Sequence, residues 1–127
     1  MNVKIVVKTI VQNYDSRILV LRRSLTDSYM PGEWDLPGGS VEQDEDPLLA
    51  AMRELKEESG IEITELSPIY VCSARHNRFA ITIVFKAQYE GEAITISEEH
   101  DAYVWLSLEE FNQLDTPEKY KIAIKYI

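Results

Sequence analysis

The sequence predicts a single α/β domain, and three observations point to it. The stretch from Asp46 to Gly60 carries both the start and the stop signals of a helix. Segments rich in Val, Ile and Thr lie on either side of it and read as strands. The whole chain of 127 residues is the length of one domain with a real core, and no repeat, linker or low-complexity stretch divides it.

Val3 to Gln12 reads as the first strand, and Asn13-Tyr14-Asp15-Ser16 as a turn into a second, Arg17 to Arg23, so the pair forms a hairpin. A polar loop, Ser24 to Glu33, leads to Trp34-Asp35-Leu36-Pro37, a short strand running into Gly38-Gly39. The helix follows. Asp46 is placed to accept a bond from an orphan N–H, Pro47 loses nothing at the first helical position, and Gly60 suits a left-handed end. Its span is Pro47 to Ser59.

Ile61 to Ile63 continues as an extended segment before a turn near Thr64-Glu65. Ile69 to Ala74 and Phe79 to Tyr89 read as strands joined by Arg75-His76-Asn77-Arg78, where His76 has no Cys or second His at metal-ligand spacing. After the turn Glu90-Gly91-Glu92 comes an acidic loop, Glu98-Glu99-His100-Asp101, then the strand Tyr103 to Leu106. Ser107 and Glu110 form a capping box for a helix over Leu108 to Leu114. Thr116-Pro117 opens a last helix, with Tyr120, Ile124 and Ile127 on one face.

The charges on the first long helix are in conflict. Leu48, Ala51, Met52 and Leu55 share the face to be buried, while Glu54, Glu57 and Glu58 fall at i, i+3 and i+4 opposite, one turn after Ala50. Like charges at i, i+4 destabilise a helix by roughly 0.2–0.5 kcal/mol each, and anions in its C-terminal half oppose the macrodipole. A hard divalent cation removes the conflict, because Mg²⁺ takes oxygen ligands from one or two carboxylates, waters and substrate phosphates.

Gly39, Glu45, Arg53, Glu54, Leu55, Glu57, Glu58, Gly60 and Ile61 fill every specified position of G-x5-E-x7-R-E-U-x-E-E-x-G-U, where U is a bulky aliphatic residue. In this the chain resembles the Nudix hydrolases. The resemblance implies an α/β/α sandwich with a mixed central β-sheet and the box as loop–helix–loop. It also implies hydrolysis of a nucleoside diphosphate linked to another group, with Mg²⁺ or Mn²⁺. Glu54, Glu57 and Glu58 become metal ligands, with Glu58 and Glu54 the firmest, and the Gly38 carbonyl completes the shell. Arg53, four residues before Glu57, organises the carboxylates by pairing along the helix. The general base is a box glutamate, Glu54 or Glu57, or an acidic residue of the downstream loop, Glu99 ahead of Glu98. Glu45 orients the loop or acts through water.

The net charge of −9 argues against a nucleic-acid polymer as partner. Between Gly39 and Ile61 seven acidic residues stand against Arg53 and Lys56, a local net of −5, so an anionic substrate approaches only with metal ions between. A small nucleotide is the expected partner, and homodimers are common in the resembled family. There is no apolar run long enough for a bilayer and no signal-peptide start, so a cytoplasmic protein without a membrane partner is expected. Cys72, the single cysteine, lies in an apolar strand and reads as a structural thiol.

Substrate contacts are sought outside the box. Arg22 and Arg23 end the second strand near the polar loop, Trp34 offers a stacking surface or a core side chain, and Arg75 and Arg78 sit at a turn. The ADP-sugar and dinucleoside polyphosphate subgroups carry a Pro or a Tyr some sixteen to eighteen residues past the box. Here that window holds Asn77, Arg78 and Phe79. The short length and the lead-in from Leu21 to Gly39 are more similar to the nucleoside triphosphate pyrophosphohydrolases. An isomerase on the same fold needs a catalytic cysteine, and a non-catalytic nucleotide-binding regulator usually loses box glutamates, which here are intact.

Overall fold

The computed structural model describes residues 2–75 and 77–127; His76 lies outside them, and with it the expectation that it is a surface histidine. Seven strands form one sheet: β1 (Val3–Gln12), β2 (Ile18–Arg23), β3 (Trp34–Asp35), β4 (Gly38–Ser40), β5 (Ser67–Arg75), β6 (Phe79–Gln88) and β7 (His100–Leu106). Helix α1 (Pro47–Ser59) lies between β4 and β5 in sequence, and α2 (Leu108–Asn112) and α3 (Glu118–Ala123) close the chain with a 3-10 turn, Ile124–Tyr126.

The first strand explains the sheet. All ten of its residues pair in parallel with β6, from Val3↔Phe79 to Gln12↔Gln88. On its other edge Val6, Val7 and Lys8 pair antiparallel with Ser40, Gly39 and Gly38, and only its last residue reaches β2, at Gln12↔Ile18. The two strands of the hairpin therefore part at once. β2 goes on to pair with β7 and β3, while β4 takes the edge of β1 that β2 leaves free.

Side-chain alternation assigns the layers. Val7, Phe85 and Ala87 pack with Ala50 and Ala51 of α1, and Val11, Leu19 and Leu21 pack with Leu55 and Ile61. Ile10, Ile18, Val20 and Val84 face the other way, onto Phe111 of α2 and Tyr120, Ala123 and Ile124 at the C-terminus. Helices thus cover both faces of a mixed sheet, the α/β/α arrangement expected. Among the described residues no helix is long and apolar enough to cross a membrane.

Helix α1 begins and ends where its caps place it. Asp46 accepts from the Leu48 N–H at 2.8 Å, and Gly60 at φ +77° returns its N–H to the Lys56 carbonyl. Several boundaries differ from expectation, β5 among them, which begins at Ser67 and ends at Arg75. Gly38-Gly39 belongs to a strand rather than to the first loop of the expected loop–helix–loop, because the edge of β1 is free to pair with it. His100 and Asp101 join β7, leaving Glu98 and Glu99 as the loop. The α2 helix stops at Asn112, its end closed by the Gln113 N–H on Glu110 and Phe111 carbonyls.

The acidic side of α1 also differs from the wheel. Ala50 and Glu58 are buried along with Leu55, and Leu49 is the apolar residue left 56% exposed. The cause is β4, which lies against this side of the helix. A Cβ at Gly38 would stand 2.0 Å from the Val7 carbonyl oxygen and 2.8 Å from Lys8 Cα, so only glycine fits between the strands. Gly38→Ala is expected to cost about 3 kcal/mol, the upper range for overpacking against atoms that cannot yield. Thermal or urea denaturation checks this, and a midpoint close to wild type would show that β4 does not sit as tightly as described.

Candidate active site

Helix α1 and strand β4 build the site between them. Glu54, Glu57 and Glu58 project from the last two turns of the helix, and the β4 glycines let backbone and carboxylates meet. The Gly38 N–H donates to Glu58 Oε1 at 3.0 Å. At Gly39 a Cβ would come within 2.7 Å of the Glu54 carboxyl group, so the glycine leaves room for that side chain.

The three carboxylates are not equivalent. Glu58 is 5% exposed, the Glu54 side chain 15% and the Glu57 side chain 58%. Burial pushes the Glu58 carboxyl up to about 8, against the opposing pull of the Gly38 N–H and the Lys8 ammonium, while Glu54 adds to the rise.

Arg53 ties the set together. Its Nε and Nη2 donate to Glu45 Oε2 and Oε1 at 2.8 and 3.0 Å, a bidentate fork. Its Nη1 reaches Glu54 Oε1 at 3.0 Å and Glu57 Oε2 at 3.3 Å, and its Nη2 also reaches the Ser40 carbonyl at 3.2 Å. Those hydrogen bonds, Glu45 foremost, hold the guanidinium firmly charged. Glu45 in turn is held low by Arg53 and by the Glu42 N–H, which donates to it at 3.0 Å. The expected i, i+4 pairing of Arg53 with Glu57 is present, but the fork to Glu45 is the shorter contact, and it fastens the loop before α1 to the carboxylates.

These oxygens are of the kind that hold Mg²⁺ or Mn²⁺. Among the described residues no three His, Cys, Asp or Glu side chains are gathered around one point, since Arg53 engages Glu54 and Glu57 while Gly38 engages Glu58. The donor chemistry and the burial of Glu58 beside Glu54 nevertheless fit a divalent cation, which would offset the cost of burying that charge.

A cleft of about 230 Å³ opens between the carboxylates, Arg23, Ser97 and Glu99. Arg23 and Glu99 also border an adjoining space of about 390 Å³, lined further by Thr26, Asp27, Ser28 and Glu98. The smaller cleft is the candidate site, because Glu54, Glu57 and Glu58 line it. Glu99 faces it and Glu98 borders only the neighbouring space.

Of the four predicted substrate contacts, one lies here. Arg23 spans the two spaces, donating to Asp27 at 3.1 Å and Asp35 at 3.5 Å, with its guanidinium 5.0 Å from the Tyr29 ring centre. Arg22 and Trp34 stand opposite each other in register on the other face, where Trp34 packs on the core beneath α2 and α3. Arg22 donates to Asp101 at 2.7 Å and its guanidinium lies 5.7 Å from the Trp34 ring centre. Neighbouring strand residues point to opposite faces, which is why the two arginines separate. Arg78 adjoins Phe79, opposite Val3, five residues along β1 from Lys8 and so roughly 17 Å away. Ser97 is a cleft residue the sequence did not foresee, and behind the lining stands an equally unforeseen pair, Lys8 and Asp35. Only Lys8 left a trace in the sequence, as a cation inside an apolar strand.

With this geometry in view, a family model described as NUDIX domain matches residues 3–126. The bis(5'-nucleosyl)-tetraphosphatase of Mus musculus is 37% identical over 89 residues, 64% of this chain and 60% of that one. The nucleoside triphosphatase NudI of Enterobacter sp. is 27% identical over 97% of this chain and 95% of that one. The chain spans less than two thirds of the length of the first curated relatives, 64% and 60%. Among solved structures, the MutT protein of Methanosarcina mazei superposes with a TM-score of 0.85 at 30% identity, covering 97% and 91% of the two chains.

Two outcomes follow from the site. Because the folded state keeps a proton on Glu58 that the unfolded chain gives up near 4.5, stability conferred by Glu58 is complete below that value and lost as pH rises toward about 8. Buried His100, held low by burial and by Arg23, adds the opposite slope up to about 6.5. The difference between wild type and Glu58→Gln in chelator is therefore the measure: the variant gains relative stability from pH 7 to 8, and parallel pH profiles would contradict the burial of an acid there. Separately, Gly39→Ala should leave stability within about 1 kcal/mol, since a flexible side chain can give way, yet displace Glu54 and weaken Mn²⁺ binding in calorimetry about tenfold.

Proposed function

The chain belongs to the NUDIX family, and on that premise we propose that it hydrolyses the diphosphate linkage of a nucleoside triphosphate, releasing a nucleoside monophosphate and pyrophosphate with Mg²⁺ or Mn²⁺. The observation that carries the reading is one cleft lined by Glu54, Glu57 and Glu58, the β4 glycines and Glu99. A triphosphate substrate is supported by the NudI relative, named a nucleoside triphosphatase and matched over nearly the full length of both chains.

A diphosphate resists water because its charge repels nucleophiles and its leaving group departs poorly. Hydrolysis needs neutralised oxygens, a water in line and a group to take its proton. Glu54, Glu57, Glu58 and the Gly38 carbonyl would hold the cation, which when bound neutralises phosphate oxygens and orients water. Arg53 keeps Glu54, Glu57 and the Glu45 loop in one register. Arg23 offers its guanidinium to the phosphate chain, its reach set by Asp27 and Asp35.

Glu99 is the base best placed for the proton. It borders the cleft with the three box carboxylates, and among the described residues its side chain makes no hydrogen bond or ion pair, whereas Glu54, Glu57 and Glu58 are all engaged. The water oxygen bonds to phosphorus, its proton passes to Glu99, and the bridging bond breaks with its electron pair on the departing pyrophosphate.

A panel of nucleotides incubated with Mg²⁺ and assayed for phosphate and pyrophosphate tests this. Pyrophosphate from one or more nucleoside triphosphates is expected, and Glu58→Gln should cut that turnover by roughly a hundredfold, as when one group of a preorganised charged site is removed. No release from any nucleotide with either metal would refute the proposal.

A further inference from the structure

Lys8 is the one lysine or arginine buried among the described residues, 5% exposed in the middle of β1. Ionised lysines are almost never buried unless paired. Its Nζ donates to Asp35 Oδ2 at 2.7 Å and to the Leu36 carbonyl at 3.3 Å, and lies 6.0 Å from the Tyr120 ring centre. Burial alone would strip the charge, but Asp35 first and then Tyr120 and Glu58 reverse the balance and keep the ammonium protonated.

What Lys8 grips leads to the cleft from two directions. Asp35 Oδ2 also accepts from Arg23, which borders both spaces. On the other side, the Lys8 stem packs so closely beside Gly38 that a Cβ there would fall 2.8 Å from Lys8 Cδ. The next residue, Thr9, donates its N–H to the Pro37 carbonyl at 2.9 Å. Residues 35 to 38 are thereby held at every step by Lys8 and Thr9, and Gly38 is the residue whose N–H meets Glu58.

We propose that Lys8 is a positioning residue for the cleft: through Asp35 and the Leu36 carbonyl it fixes the segment that presents Gly38 to Glu58, and it sets how far Arg23 reaches. The proposal rests on the hydrolase reading above. A buried ion pair serving stability alone is the competing account, since such pairs often contribute little beyond a cost when broken.

Lys8→Met and the double variant Lys8→Met/Asp35→Asn separate the two accounts. The single change leaves Asp35 short of its partner and lowers the melting temperature; the double change removes both buried charges and restores most of it. If Lys8 positions the cleft, both variants lose at least about tenfold in kcat and in Mn²⁺ affinity by calorimetry, with KM raised, because outer contacts of a metal site typically carry 10–100-fold. The proposal is overturned if kcat and Mn²⁺ affinity recover in the double variant along with melting temperature, or if neither falls in the single one. Should Lys8→Met fail to fold, the double variant decides alone. A wild type that hydrolyses no nucleotide refutes the hydrolase reading instead. The Mn²⁺ titration then still judges Lys8, with equal affinity in wild type and variants counting against it and absence of Mn²⁺ binding overturning both.

Discussion

The contact on which this structure depends is the approach of a glycine strand to an acidic helix. At Gly38 and Gly39 the backbone of β4 lies within hydrogen-bonding reach of Glu58 and beside the carboxyl group of Glu54. Any side chain there would drive the strand off β1 or displace a carboxylate. The sheet topology follows from the same contact. β1 gives one edge to β4 and almost none to its hairpin partner β2, so the sheet splits beside the site and leaves a cleft rather than a continuous surface.

Electrostatics act on this frame in layers. A helix bearing three carboxylates on its second side is unfavourable on its own, and the protein answers with cations placed inside the structure. Arg53 gathers Glu45, Glu54 and Glu57 from one side, and Lys8 stands behind Gly38 and Glu58 on the other. Neither neutralises Glu58, whose carboxyl is still raised by burial. On either side of the Glu98-Glu99 loop, Ser97 Oγ and His100 Nδ1 are buried and, among the described residues, without hydrogen-bond partners. Incomplete satisfaction of this sort concentrates where a ligand or motion supplies what is missing.

Much of this was legible in the sequence, for reasons that differ residue by residue. The span of α1 could be read to the residue because its ends are set by local chemistry: an Asp that caps, a Pro with no N–H to lose and a Gly that turns left-handed. The nine box positions named the carboxylates because their spacing is a property of the helix itself. Strand β4 was not legible, since two glycines and a serine show no alternation and become a strand only through β1. A helical wheel gives the phase of Glu58 but not what covers that side, so its burial was invisible. Lys8 and Asp35 are 27 residues apart, and no local pattern joins them. Arg22 and Arg23 needed only the two-residue period of a strand to be told apart.

The same features explain why the site is costly to the fold and kept there nonetheless. A glutamine in place of Glu58 would meet the Gly38 N–H equally well and end the repulsion with Glu54, so stability alone favours the neutral side chain. The chain places an acid where it is buried, raised in pKa and crowded by another acid. On the proposed reading the acid answers a divalent cation at the cleft, since Lys8, the internal cation nearby, is committed to Asp35. Lys8 therefore supports the wall of the cleft without lining it, and Glu54, Glu57 and Glu58 make up its acidic side.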